Sequence, residues 1–279
     1  MAIVFNESEV TPEVLGDGIE RQKLLTRERV AGTSILLDRL KLAAGASLEF
    51  AIDPQSVAWF QVLTGEGDLK HARGSEKLSD AHVAVLPPGF RGTFTSQAGA
   101  SLLYAEVPNA TRFDGGLATH PPEFRVVDWT REPVLQSEHD ARKRIYLVTP
   151  KLFGMKAIKG EMIIYPKGTT GANHHHEGAE HFMYFLRGSG TAHANEKPFP
   201  VRKGDVVHYP DRERHYLSAA DNEEMVFVEF FAPGECVTVW VDENKVCAWL
   251  PTGLDIQGNA PVREIKGHSS KEVAIPQDV

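Results

Sequence analysis

Four histidines in two short segments set the chemistry open to this chain. His174 and His176 are two residues apart, so on a strand both rings face the same way. His181 follows after four residues, at the start of the apolar run Phe182–Leu186, which reads as the next strand. A hairpin of that size brings the three imidazoles together. In a second segment, Gly204 to His215, a strand ends in a Pro210-containing turn that delivers His215 to the same place. A neutral ring nitrogen is the commonest protein ligand to a metal, and imidazole suits Fe, Ni, Cu, Zn and Mn. A surface histidine cluster would account for the run His174–His176, but not for the register of His181 and His215 with it.

The spacing of these residues resembles that of the cupins. The first cupin motif runs Gly, five residues, His-x-His, four residues, a ligand, six residues, Gly. It is matched here by Gly168, His174, His176, His181 and Gly188. Gly204, Pro210 and His215 resemble the second motif. Two departures stand out. The ligand after the His-x-His pair is usually Glu, and here it is His181, with Glu180 next door as the alternative third ligand. Arg212 replaces the usual second-motif glycine, so that turn lacks a glycine's freedom at positive φ.

Four neutral histidines would leave a divalent ion its full +2 charge, which favours an anionic or enolisable oxygen ligand. They also leave open positions on a five- or six-coordinate metal, the mark of a catalytic site. Zinc would instead accept all four in a closed tetrahedron, a structural site. Strand parity puts Met183 and Phe185 on the face of His181, so the cavity beside the metal is expected to be apolar and poor in water. Glu180, Tyr209 and Arg212 are the candidate catalytic residues: Glu180 to orient a ligand imidazole or else a solvated loop carboxylate, Tyr209 and Arg212 at the mouth, with Arg212 able to hold a substrate carboxylate or, equally, to form a surface salt bridge. His208 lies on the same turn. His193 reads as a strand-end histidine, and Glu229 as structural.

The chain has 279 residues, 42 % hydrophobic, enough for one or two domains with a sizeable core. Its net charge of −8 disfavours nucleic acid and anionic membrane surfaces as partners. No apolar run approaches a membrane span, and the N-terminus carries no signal-peptide pattern. Cys236 and Cys247 are too few for a disulfide framework and are expected as buried free thiols. These features point to a cytoplasmic protein with a small-molecule substrate.

Short strands, frequent Gly and Pro punctuation and little helical periodicity predict an all-β chain. An internal repeat sharpens this. An offset of 123 residues maps Gly168 to Gly45, Gly188 to Gly65, Pro210 to Pro87 and Glu229 to Glu106 without a gap. The chain therefore resembles a bicupin, with two tandem cupin barrels of the double-stranded β-helix, or jelly-roll, kind. The same offset maps His174 to Ala51, His176 to Asp53, His181 to Ala58 and His215 to Gly92, so every ligand position in the first copy is empty except for one carboxylate, too little to hold a metal. The expected organisation is an N-terminal arm (1–28), an N-terminal barrel without metal ligands (29–110), a connecting segment (111–144), a C-terminal metal-binding barrel (145–235) and a C-terminal strand and tail (236–279).

What the resemblance implies is a metal-dependent enzyme, most readily an iron(II) dioxygenase acting on a small aromatic or enolisable anionic substrate, because cupins with three or four histidines often cleave C–C bonds with oxygen. The alternative is a non-redox hydrolase, isomerase or lyase. Bicupin aminohydrolases of the ureidoglycine type use manganese, although they carry Glu and Gln where this chain has His174 and His215. A binding protein with a structural metal is a third reading. One divalent ion per chain is expected, Fe2+ first, with Mn2+, Ni2+ or Zn2+ as alternatives, in a homodimer.

Overall fold

The computed structural model describes residues 1–269. The chain divides into two compact units, Glu7–Trp129 and Met1–Asn6 together with Thr130 onward. Both are built from antiparallel strands. The expected arm over 1–28 is thus divided. Ile3–Asn6 pairs with Asp205–Tyr209 in the C-terminal unit, while Glu13–Gly16 and Ile19–Leu25 join the sheet of the N-terminal unit. The expected connecting segment is divided too, because Arg125–Asp128 pairs with His82–Leu86 of the N-terminal unit.

In the N-terminal unit, one sheet runs from Arg125–Asp128 through His82–Leu86, Val57–His71, Ala100–Val107, Leu36–Leu42 and Ile19–Leu25 to Glu13–Gly16. The long strand Val57–His71 continues past Gly65 to pair with Gly74–Ser79 and Arg91–Thr95. Gly65 holds φ at 80° there, and a Cβ would collide with the Gly99 carbonyl. Gly188, its equivalent in the second copy, has φ 75° and the same crowding against the Glu224 carbonyl. The repeated glycine therefore marks the place where each strand leaves one sheet for the next. Alternating inward residues (Phe60, Leu69, Phe94, Leu102) fill this unit.

The C-terminal unit has a nine-stranded sheet, in the order Ile3–Asn6, Asp205–Tyr209, Glu180–Arg187, Met225–Ala232, Lys159–Tyr165, Lys143–Val148, Leu135–Ser137, Ala248–Pro251, His268–Ser269. A second sheet holds Lys197–Arg202, Ser189–Ala194, His215–Ala219, His174–Glu177 and Val237–Trp240. Met183, Phe185, Val207, Leu217 and Phe227 form the core of this unit. Among the described residues, no helix is long and apolar enough to cross a membrane.

Candidate metal centre

Three histidines and one carboxylate converge inside the C-terminal unit. Ligand-type atoms of His176, His181, His215 and Glu229 lie within 4.8 Å of one another, and all four residues are buried. His176 comes from the short strand His174–Glu177, held in register by Val237–Trp240. His181 opens the strand Glu180–Arg187, and its inward parity continues through Met183 and Phe185, as expected. His215 starts its strand directly opposite His174.

His174 flanks this group. Its ring centroid is 4.4 Å from that of His215 and 4.9 Å from that of His176, and it packs on Trp240. Glu229 is what sequence reasoning missed, by assigning it a structural role. It sits in the apolar strand Met225–Ala232 on the inward parity of Phe227 and Phe231. A carboxylate on the core-facing side of such a strand was the available signal.

The histidines are oriented by their other nitrogen. His174 Nδ1 meets the Ala172 carbonyl at 2.8 Å, His215 Nδ1 meets the Glu213 carbonyl at 2.8 Å, and His176 Nδ1 meets Thr238 Oγ1 at 3.2 Å. This leaves Nε2 of each to face inward. Tyr209 stacks on His215 at 4.4 Å and on His181 at 5.2 Å, and its hydroxyl donates to the His193 carbonyl.

Burial and neighbouring imidazoles push His174, His176 and His181 well below the usual histidine range, and burial takes His215 down to about 4. All four are neutral near pH 7, the state a metal requires. Burial raises Glu229 to about 8, with Glu161 opposing its ionisation. A divalent ion beside it would reverse that shift.

Whether the group fits a metal is answered by its unsatisfied atoms. His181 Nδ1 and Nε2 and His215 Nε2 are buried without a hydrogen-bond partner. Glu229 Oε1 approaches His181 Nε2 to 3.3 Å. Leaving buried polar atoms unpaired is costly, and one ion at their centre satisfies them together. His176, His181, His215 and Glu229 would hold it, with His174 beside them.

The other expected site residues lie elsewhere. Glu180 faces away from the ligands and bonds His208 Nε2 at 2.6 Å. Tyr209 supports two of the imidazoles from outside the cavity. Arg212 is exposed and pairs with Glu177 at 2.9 Å. Its φ of 63° is the left-handed conformation of the missing motif glycine, and its N–H donates to the His176 carbonyl at 2.8 Å. His193 stacks flat on Tyr216. Cys236 and Cys247 are buried and free.

A cavity of about 50 Å³ adjoins the group, walled by Tyr146, Trp240 and Trp249 and by the cations Arg142, Arg144 and Lys159. It is therefore less apolar than the parity of Met183 and Phe185 led one to expect. Glu161 lies across from Glu229 in the paired strands and meets Arg144 at 3.2 Å and Lys159 at 3.5 Å. Burial would raise Glu161, but those two cations outweigh it and hold it below the usual carboxylate range. Burial would also lower Lys159, but Glu161 outweighs it, so the lysine stays protonated.

The family model for the Cupin domain matches residues 161–231, the stretch that carries the group. This chain contains a cupin. Two structures of oxalate decarboxylase are similar over 85 % of this chain and 79 % of theirs. One, a variant of the Bacillus subtilis protein, has a TM-score of 0.68 at 14 % identity; the other, describing substrate binding mode and a reaction specificity switch, has 0.69 at 15 %. Protein Ylba from E. coli aligns over 83 % of this chain and 90 % of its own, with a TM-score of 0.67 at 14 % identity. At these identities the likeness is one of fold. No curated protein sequence matches.

Proposed function

We propose that the C-terminal cupin is a metal-dependent enzyme acting on a small anionic substrate. The observation that carries this reading is the convergence of buried, unpaired ring nitrogens of His181 and His215 with His176 and the buried carboxylate of Glu229 beside a cation-walled cavity. A divalent ion there supplies Lewis acidity, and iron(II) adds electron transfer with dioxygen. Arg144 and Lys159 draw the anion in. Phe231, packed on both His176 and His181, keeps bulk water from them. Glu161, held ionised across from Glu229, is the carboxylate left to take up a proton.

The cavity volume narrows the substrate. A cavity of roughly 150 Å³ is what holds a benzene ring, so about 50 Å³ favours a short aliphatic acid over an aromatic one. Oxygen-dependent cleavage at iron is the first reaction to assign. Glu161, a buried carboxylate beside the metal group and outside its ligand set, favours a second, non-redox reading with manganese, in which acid–base chemistry does the work. We place the protein in the cytoplasm, where free thiols persist, as a homodimer. The exposed Val237, Val241, Leu250, Leu254 and Val262 of its C-terminal segment support the dimer.

Metal analysis by mass spectrometry on untagged protein tests this reading. About one equivalent per chain in the wild type, lost in His176→Ala, is the expected result. Iron with substrate-dependent oxygen uptake supports the dioxygenase, and manganese without uptake the alternative. No metal in either protein overturns the proposal.

A further inference from the structure

The cations around the cavity are not all balanced. Arg142 is fully engaged: its Nε meets both Asp140 oxygens at 2.8 and 2.9 Å, one Nη donates to the Tyr165 hydroxyl and the other to Cys247 Sγ. Asp140 therefore neutralises it. Arg144 and Lys159 differ, because both lean on one carboxylate, Glu161. Their side chains are only 15 % and 13 % exposed. Two cations against one anion leave one positive charge in a largely dry pocket, where it is weakly screened.

Further contacts show that this charge faces the cavity. Arg144 Nε is buried without a hydrogen-bond partner, a donor with its place still to fill. Lys159 Nζ stands 4.8 Å from the centroid of the Phe231 ring, and that ring is 4.9 Å from His176 and from His181. A single aromatic side chain thus separates the lysine from the metal group. Burying an unbalanced cation is costly unless an anion joins it.

We propose that Arg144 and Lys159 bind a second anionic group of the substrate, making this site selective for short dianions over monoanions. This builds on the metal-dependent reading: one anionic group meets the ion held by His176, His181, His215 and Glu229, and the other lies on the Arg144–Lys159 pair. Glu161 aligns the two cations, and the small cavity limits the chain between the anionic groups to a few atoms. Lys159 is then the specificity-determining residue, because Arg144 also spends a donor on the Tyr146 hydroxyl.

Calorimetric titration of the full-length protein loaded with Mn2+ tests this, comparing malonate with propionate and succinate with butyrate. Each dianion should bind about tenfold or more tighter than its monoanion. Lys159→Met should erase most of that ratio, weakening the dianions far more than the monoanions; Lys159→Arg should keep it. Equal affinities in the wild type overturn the proposal, as does an unchanged ratio in a Lys159→Met protein folded by circular dichroism. If Lys159→Met does not fold, Lys159→Gln carries the same comparison. Failure to take up metal defeats the proposed function instead. Malonate titrated into the metal-free protein then decides the anion site: Lys159-dependent binding upholds it, and no binding overturns it.

Discussion

At the 123-residue offset the two halves of the chain keep one set of charges and lose another. Arg144 and Glu161 correspond to Arg21 and Asp38, which also pair, with Arg21 Nε 2.8 Å from Asp38. Glu229 corresponds to Glu106, which accepts from the Tyr104 hydroxyl. Lys159 corresponds to Leu36 and Arg142 to Ile19, and of the four histidines only His176 has a ligand-type counterpart, Asp53. Where the C-terminal unit has Met183 and Leu217, the N-terminal unit has Phe60 and Phe94, in edge contact at 5.7 Å, with Phe50 stacked on Phe60. One copy holds the candidate metal group and the cavity beside it, and the other fills the corresponding interior with aromatic rings. The arginine–carboxylate pair persists in both, so it belongs to the barrel. Lys159 disappears together with the histidines, as the proposed anion site requires.

The most drastic break in this comparison is to strip the C-terminal unit of one histidine of its group. His215→Ala removes a buried ligand and should weaken metal binding by about 100-fold or more, read by competition with a chelator. Hydrogen exchange in Glu7–Trp129 should not change. Unaltered metal affinity would show that the histidines are core residues alone.

Next is the shared ion pair. Arg144→Met strands the buried Glu161 and should cost about 3–5 kcal/mol in denaturant unfolding. Arg21→Met should cost about 1–3 kcal/mol, because Arg21 is one-third exposed and water can replace it. Only the first should alter anion binding. If both did, the kept pair would not be merely architectural.

Acid should separate the units. The four imidazoles hold their pKa values below the unfolded value of about 6.5, so the unfolded chain binds more protons as pH falls. Stability of the metal-free C-terminal unit is then full above that value and drains away towards pH 4, the value to which His215 is depressed. His215 alone accounts for roughly 3 kcal/mol. Hydrogen exchange followed from pH 7 to 4 should show this unit opening first. Simultaneous opening of both units would mean that the cluster does not set acid stability.

The smallest effect concerns the turn before His215. Arg212→Gly relieves a left-handed residue but loses the surface pair with Glu177. The net should be a gain of no more than about 1 kcal/mol in thermal unfolding, with metal content unchanged. A loss of metal would make Arg212 part of the site after all.

Much of this was legible in the chain. Period-two alternation and glycine punctuation announce the strands, and the gapless repeat announces two copies. His176, His181 and His215 are close in sequence or anchored by turn residues, so local geometry carries them to one place. Glu229, Arg144 and Lys159 were not legible, because each sits singly within a strand and takes its meaning from the strands beside it. Arg212 misled for the opposite reason: a cation on the motif turn looks placed for substrate, but its left-handed backbone sends the side chain out to Glu177.

By itself, then, the sequence determined the all-β architecture, the second copy as the one that carries the candidate metal group and the three converging imidazoles, since alternation, spacing and turns are local properties. Tertiary structure decided which carboxylate joins the three imidazoles, which cations line the cavity beside them and which copy receives the opening strand Ile3–Asn6. Those depend on which strands lie side by side across many residues, and pairing at that range is chosen by packing of the whole barrel.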